Sequence, residues 1–242
     1  MDIEVKGDIV DDDSAWFYDW LGYSYTSPNI VNKKLKEANG EEINVKVNSP
    51  GGDVFAASEI YTALRSYKGN VNIEIVGLAA SAGSVISMAG YSKMSPTAQM
   101  MIHNVSSCAR GDYRDMDHMS EVLKNANDTI ANAYICKTGM SREEALEIMN
   151  NETWLSAQRA KELGLIDEIM FEETNKVDLS NLNNSKFKNK LYNSFSSIPT
   201  DIIDKLTNKN SNQPFKNEEV DFFMQQKAKA QLELINLKRK CI

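Results

Sequence analysis

The chain has 242 residues, of which 42% are hydrophobic and 25% charged, and a formal net charge of −7 at pH 7. These fractions are typical of a globular protein with one sizeable core, and the acidic balance of residues 1–173 argues against binding of nucleic acid. No apolar run approaches the roughly 18 residues of a membrane helix, and the acidic start, MDIEVKGDIVDDD, is unlike a secretory signal. We therefore expect a cytoplasmic protein that binds neither nucleic acid nor membrane.

Strands and helices are predicted to alternate in the first part of the chain. Apolar and polar residues alternate over 43–47, which is the period of a half-buried strand. The predicted elements are strands at 3–7, 43–47 and 71–76 and helices at 14–21, 28–38 and 54–66. This order indicates a parallel sheet with right-handed crossovers. Between the second strand and the third helix, NSPGGD (48–53) has the composition of a loop.

The stretch Val76–Gly90, VGLAASAGSVISMAG, is built of small residues around Ser81. It follows a β-branched strand and precedes an apolar helix, so Ser81 is expected at a strand-to-helix turn close to free backbone N–H groups. Small neighbours let a substrate backbone approach closely. The stretch therefore suits a nucleophilic serine, and the alternative is a tightly packed turn in a buried core.

The second half of the chain predicts a further strand at 94–103, which ends on His103, and a long helix at 115–137. The apolar positions of that helix form a narrow seam, which favours packing against another subunit. Ser141 and Glu144 form a capping-box pattern at the start of a short helix. A helix at 157–163 and a strand at 165–171 follow. Residues 174–217 have the composition of a flexible linker, and residues 218–242 predict a C-terminal helix.

Three segments that could take part in catalysis lie at the ends of three predicted strands. SPGGD follows the strand at 43–47, Ser81 lies in the stretch that follows the strand at 71–76, and His103 ends the strand at 94–103. The ends of parallel strands lie close together, and such folds place their sites there. Acyl transfer by serine requires a nucleophile, a histidine base, a carboxylate to orient the base, and two N–H donors for the oxyanion. Ser81 and His103 supply the first two, and the backbones of Gly52 and Ala82 can supply the donors. Taken singly, the turn and the histidine also fit purely structural roles.

The segments NSPGGD, GLAASAGSVISMAG, MIHN and WLSAQRAKELGLIDEI, in this order, closely resemble the proteolytic subunit of the Clp protease (ClpP) over roughly residues 3–170. The chain looks in particular like the phage- and prophage-encoded branch associated with head maturation. The resemblance implies an α/β ClpP/crotonase-like fold with a wound β-sheet and a protruding handle helix, here with a C-terminal extension. It also implies a serine endopeptidase without metal or bound cofactor that forms ring-shaped homo-oligomers, heptamers or stacked rings.

The resemblance assigns roles position by position. It makes Ser81 the nucleophile and His103 the general base, with Gly52 and Ala82 as the oxyanion donors. Where ClpP has its triad aspartate, this chain has Glu152, which we predict to be the third member because Asp and Glu both serve in hydrolase triads. A neighbouring acid, Asp112 or Asp115, is the alternative.

The predicted organisation is a protease domain at 1–173, the linker at 174–217 and the helix at 218–242. Because the chain begins almost at its first strand, we expect no axial-pore segment and no dependence on an unfoldase ATPase. The leading hypothesis is an ATP-independent serine endopeptidase that cleaves capsid or scaffold proteins in the host cytoplasm or the assembling prohead. One alternative is a crotonase-type acyl-CoA enzyme, which would not need the Ser81–His103 pair. The other is a catalytically silent capsid-assembly or scaffolding protein.

Overall fold

The computed structural model describes residues 1–172, which form a mostly parallel β-sheet flanked by helices. The strands are β1 (Asp2–Ile9), β2 (Tyr25–Thr26), β3 (Ile43–Gly52), β4 (Val71–Ala80), β5 (Tyr91–Met94), β6 (Gln99–Ile102), β7 (Thr153–Ser156) and β8 (Glu168–Ile169). The helices are α1 (Asp12–Leu21), α2 (Pro28–Ala38), α3 (Val54–Arg65), α4 (Ala82–Ser87), α5 (Tyr113–Thr138), α6 (Arg142–Asn150) and α7 (Ala157–Glu162). The predicted linker and C-terminal helix lie outside the described residues.

The sheet runs in the order β2-β1-β3-β4-β5-β8, and its central strands carry the β-branched residues that the alternating pattern predicted. Val45, Val47, Ile73 and Ile75 are fully buried there. Strand β4 has two successive neighbours on one side. Its first half, from Asn72 to Ile75, pairs with β5, and its last residues pair with β6. This change of neighbour brings the end of β6 beside the end of β4.

Residues 48–52, predicted as a loop, instead continue strand β3. They pair with β1 as far as Ile9 and Gly52, while the register with β4 shifts between Val47 and Ser49. The side chain of Asn48 fills this irregularity, since its Oδ1 accepts a hydrogen bond from the N–H of Leu78 at 3.1 Å. Beyond the shift, Ser49 of β3 pairs with Ala79 of β4. The loop predicted from the glycine and proline content of residues 48–52 is therefore wrong, because pairing with β1 keeps this segment in the strand.

Helix α5 leaves the core at its N-terminal half. A capping box of Asp112 and Asp115 begins the helix, so both acids have structural roles at its start. Only the C-terminal turns carry buried residues, which are Ile130, Ala131, Ala133 and Tyr134. Lys137 anchors this end through a hydrogen bond of 2.9 Å to the carbonyl of Gly90 and an ion pair with Asp167. The predicted apolar seam is thus buried only in its last part.

Two predicted strands are shorter in the structure. The strand predicted at 94–103 is divided between β5 and β6 by a turn in which the N–H of Ala98 donates to the carbonyl of Ser95 at 2.9 Å. The strand predicted at 165–171 is reduced to Glu168–Ile169. Within the described part of the chain, no helix combines the length and the apolar character needed to cross a membrane.

Candidate active site

Ser81 lies at the turn between β4 and α4 in a backbone conformation that is rare for serine, with φ 52° and ψ −123°. A positive φ costs free energy in a residue with a Cβ atom and persists only where the surroundings hold it. Here the Ser81 N–H donates to the carbonyl of Met101 at 2.9 Å, and the Ser81 carbonyl accepts from the N–H groups of Ser84 at 2.9 Å and Val85 at 3.3 Å. The turn therefore holds Ser81 firmly at the end of the strand.

The side chains of Ser81 and His103 are in direct contact, with 2.7 Å between Ser81 Oγ and His103 Nε2. The pairing of β4 with β6 explains this contact, because Ala80 lies beside Met101. Burial lowers the pKa of the half-buried His103 below its ordinary 6.5, and the negative charge of Glu152 opposes that effect by raising it. A pKa below 6.5 leaves the imidazole neutral at pH 7, the form that can accept a proton.

Two glycines lie at the end of β3, where Gly51 packs against the Ser81 turn and Gly52 against β1. Gly51 has φ +101°, and a Cβ atom there would lie 2.7 Å from the Cβ of Ser81 and 2.9 Å from the nitrogen of Ala82. Gly52 has φ +148°, and a Cβ atom there would lie 2.1 Å from the carbonyl oxygen of Ile9. Both positions thus require glycine for conformation and for space. The Gly51 N–H donates to the hydroxyl of the buried Ser49 at 3.1 Å, which orients this segment.

Glu152 lies between α6 and β7, next to the strand that pairs with the His103 strand. In the antiparallel register of β6 and β7, Ile102 pairs with Thr153. His103 follows Ile102 and Glu152 precedes Thr153, so these two residues lie at the same end of the strand pair. Glu152 has φ 44°, and its Oε1 accepts a hydrogen bond from the indole N–H of Trp154 at 3.3 Å. Its charge acts on His103 in the direction that stabilises the imidazolium.

A shallow pocket lies over this pair and is lined by Ser81, Ala82 and His103 together with apolar side chains from α3 and α5. Helix α3 contributes Val54 and Ala57, and the buried end of α5 contributes Ile130 and Tyr134. Sequence reasoning did not single out Tyr134, since its helical spacing indicates only a core position. Among residues 1–172, no three His, Cys, Asp or Glu side chains are grouped as metal ligands are.

A model of the Clp protease family matches residues 31–173. The chain belongs to the Clp protease family. It is 34% identical over 133 residues to the ATP-dependent Clp protease proteolytic subunit of Deinococcus radiodurans, a match that covers 54% of this chain and 65% of that protein, just under two thirds. It is 36% identical over 138 residues to the ATP-dependent Clp protease proteolytic subunit 1 of Chlamydia muridarum, covering 54% of this chain and 71% of that protein.

Among solved structures, the chain resembles a mutant of ClpP1 from Listeria monocytogenes with a TM-score of 0.58. That match has 22% sequence identity and covers 70% of this chain and 90% of the other. At this identity the likeness bears on the fold alone. The predicted ClpP-like α/β fold with a wound sheet is confirmed.

Proposed function

We propose that this Clp-family protein is a serine endopeptidase in which Ser81 is the nucleophile and His103 the general base. The observation that carries the proposal is the 2.7 Å contact between Ser81 Oγ and His103 Nε2 beside an open pocket. A neutral imidazole accepts the hydroxyl proton as Ser81 Oγ attacks the scissile carbonyl, and then donates that proton to the leaving amine. Water hydrolyses the acyl-enzyme in the second half-reaction, with His103 again as base.

We assign the third role to Glu152. Protonation of His103 creates a positive charge in a half-buried site, and the Glu152 carboxylate stabilises that charge, as the direction of its effect on the His103 pKa indicates. The hydrogen bond from Trp154 holds the carboxylate. Asp112 and Asp115, the alternative acids, are engaged in the cap of α5.

We assign the backbone N–H groups of Gly52 and Ala82 to the oxyanion. Ala82 follows the nucleophile in the same turn, and the absence of a side chain at Gly51 leaves the space beside the Ala82 nitrogen open. Donors aimed at the position where charge develops act on the transition state more than on the bound substrate. Gly52 ends the strand that lies against this turn.

The finer parts of the proposal concern assembly and substrate. The exposed apolar residues of the first half of α5, Tyr113, Met116 and Val122, favour a homo-oligomer, for which the family resemblance implies a ring.

Peptide-bond hydrolysis by Ser81 and His103 consumes no nucleotide, so we propose cleavage of accessible peptides without ATP. The resemblance to the head-maturation branch supports capsid or scaffold proteins as substrates. The assembled Ser81–His103 pair favours a peptidase over an acyl-CoA enzyme or a silent scaffolding protein.

A fluorophosphonate probe tests the proposal directly, because it reacts only with an activated serine. We expect labelling of the full chain at Ser81, identified by peptide mass, together with hydrolysis of fluorogenic peptides in the absence of ATP. Ser81→Ala abolishes both signals, whereas Ser66→Ala, at an exposed serine beyond α3, retains both. Absence of labelling in the wild type, or full labelling of Ser81→Ala, would overturn the assignment.

A further inference from the structure

The carbonyl of Ser81 receives a third hydrogen bond, from the side chain of Ser84, with 2.6 Å between Ser84 Oγ and the Ser81 oxygen. This carbonyl and the N–H of Ala82 belong to one peptide group. A peptide group is planar and trans, so its C=O and N–H point in opposite directions and cannot turn independently. The Ser84 hydroxyl, together with the N–H groups of Ser84 and Val85, therefore sets the direction of the Ala82 N–H as well as that of the carbonyl.

Ser84 in turn receives a hydrogen bond from helix α5. Its hydroxyl has a single hydrogen, which is donated to the Ser81 carbonyl, so in the 2.8 Å contact between Ser84 Oγ and Tyr134 Oη the tyrosine is the donor. Ser84 is 0% and Tyr134 is 2% exposed, so water does not compete for either group. Burial raises the pKa of Tyr134 to about 12, which keeps the phenol protonated and able to donate. Hydrogen bonds arranged in series polarise one another, which strengthens the last donor in the series.

We propose that Tyr134 is a positioning residue that acts through Ser84 to hold the Ser81–Ala82 peptide group with its N–H directed at the oxyanion. The proposal rests on the peptidase function proposed above and adds to it a residue of α5 that contacts no reacting atom. It assigns a use to a buried phenol and a buried hydroxyl that the Ser81–His103–Glu152 chemistry does not employ. The series runs from Tyr134 Oη to Ser84 Oγ, then to the Ser81 carbonyl and the Ala82 N–H.

The positioning role predicts a specific kinetic signature. Tyr134→Phe keeps the ring that lines the pocket and removes only the donor, so substrate binding is retained. Removal of one oxyanion donor typically lowers kcat by 10²–10³. Loss of its alignment alone is expected to lower kcat about tenfold, with KM changed by less than about twofold. The affinity for a peptide boronate, which mimics the tetrahedral intermediate, falls by the same factor as kcat/KM, because both depend on the oxyanion contact.

The experiment compares Tyr134→Phe, Ser84→Ala and the double variant in the full chain. Tyr67→Phe is the matched control, because its phenol also makes two hydrogen bonds, donating to the Glu41 carbonyl at 2.7 Å and accepting from the Gly40 N–H at 2.9 Å. We expect the double variant to be no slower than Ser84→Ala, since Tyr134 acts only through Ser84. The control is expected to lose stability without loss of kcat.

Unchanged kcat and boronate affinity in Tyr134→Phe, with only a lowered melting temperature, would overturn the inference and leave the peptidase assignment intact. Additive losses in the double variant would also overturn it. Should Tyr134→Phe fail to fold, Ser84→Ala alone decides, because kcat and boronate affinity must still fall together there. An inactive wild type that the fluorophosphonate does not label would instead refute the proposed function itself.

Discussion

Glu152 and His103 lie at the same end of the antiparallel pair β6–β7, one residue beyond the paired Ile102 and Thr153. The carboxylate raises the pKa of His103 against the effect of burial, which lowers it. Glu152→Gln removes this charge but keeps an oxygen that can accept from Trp154. We expect kcat to fall by about 10²–10⁴ and the acid midpoint of the pH profile of residual activity to move to lower pH. Glu162→Gln, at an exposed surface ion pair with Arg159, is the control and should leave the kinetics unchanged. Unchanged kinetics in Glu152→Gln itself would assign the third role to another acid.

The pH dependence of the wild type follows from the neutral state of His103. Protonation of the imidazole removes the base, so kcat/KM falls as pH drops through the His103 pKa. Because burial places that pKa below the ordinary 6.5, the acid midpoint of kcat/KM is expected below 6.5 and more than half of the maximal rate remains at pH 6.5. Peptide hydrolysis across the acid range, at constant ionic strength, measures this. A midpoint above 6.5 would mean that the carboxylate outweighs burial.

Gly51 is predicted to be intolerant of a methyl group. A Cβ atom there meets Ser81 and the backbone of Ala82 within 3 Å, and the φ of +101° is strained for alanine. Gly51→Ala should abolish fluorophosphonate labelling and destabilise the fold by about 1–3 kcal/mol. Gly40→Ala is the matched control, because Gly40 has φ +87° and nothing within 4 Å of an added Cβ. It should show the cost of the positive φ in chemical denaturation while labelling at the wild-type rate. Equal labelling of both variants would contradict this account of the site.

The exposed half of α5 is predicted to support the oligomer. Met116 is 39% and Val122 45% exposed on the same helix, and covering such apolar surface favours association. Met116→Lys combined with Val122→Glu should shift the protein to a smaller species in analytical ultracentrifugation or native mass spectrometry. Ile30→Lys, a change at a similarly exposed residue of α2 (36% exposed), should leave the mass unchanged. An unaltered assembly in the double variant would place the contact elsewhere.

The central strands and the Ser81–His103 contact could be anticipated from the sequence for a physical reason. Alternating and β-branched residues report burial locally, and parallel strands place their carboxyl ends together. The strand character of residues 48–52 could not be anticipated, since it depends on pairing with β1. The Tyr134–Ser84 hydrogen bond joins residues 50 positions apart, and neither residue carries a local signal of that contact. Long-range packing of this kind becomes visible only in the folded chain.

The division of one edge of β4 between β5 and β6 bears on how the candidate site is lost when the protein unfolds. Ser81, the proposed nucleophile, follows the central strand β4, whereas His103 and Glu152 adjoin the antiparallel pair β6–β7, which is paired with β4 only from Leu78 to Ala80. Opening of these few pairings separates His103 from Ser81 while β1, β3 and the first half of β4 remain paired. Loss of peptidase activity in mild denaturant is thus expected to precede global unfolding.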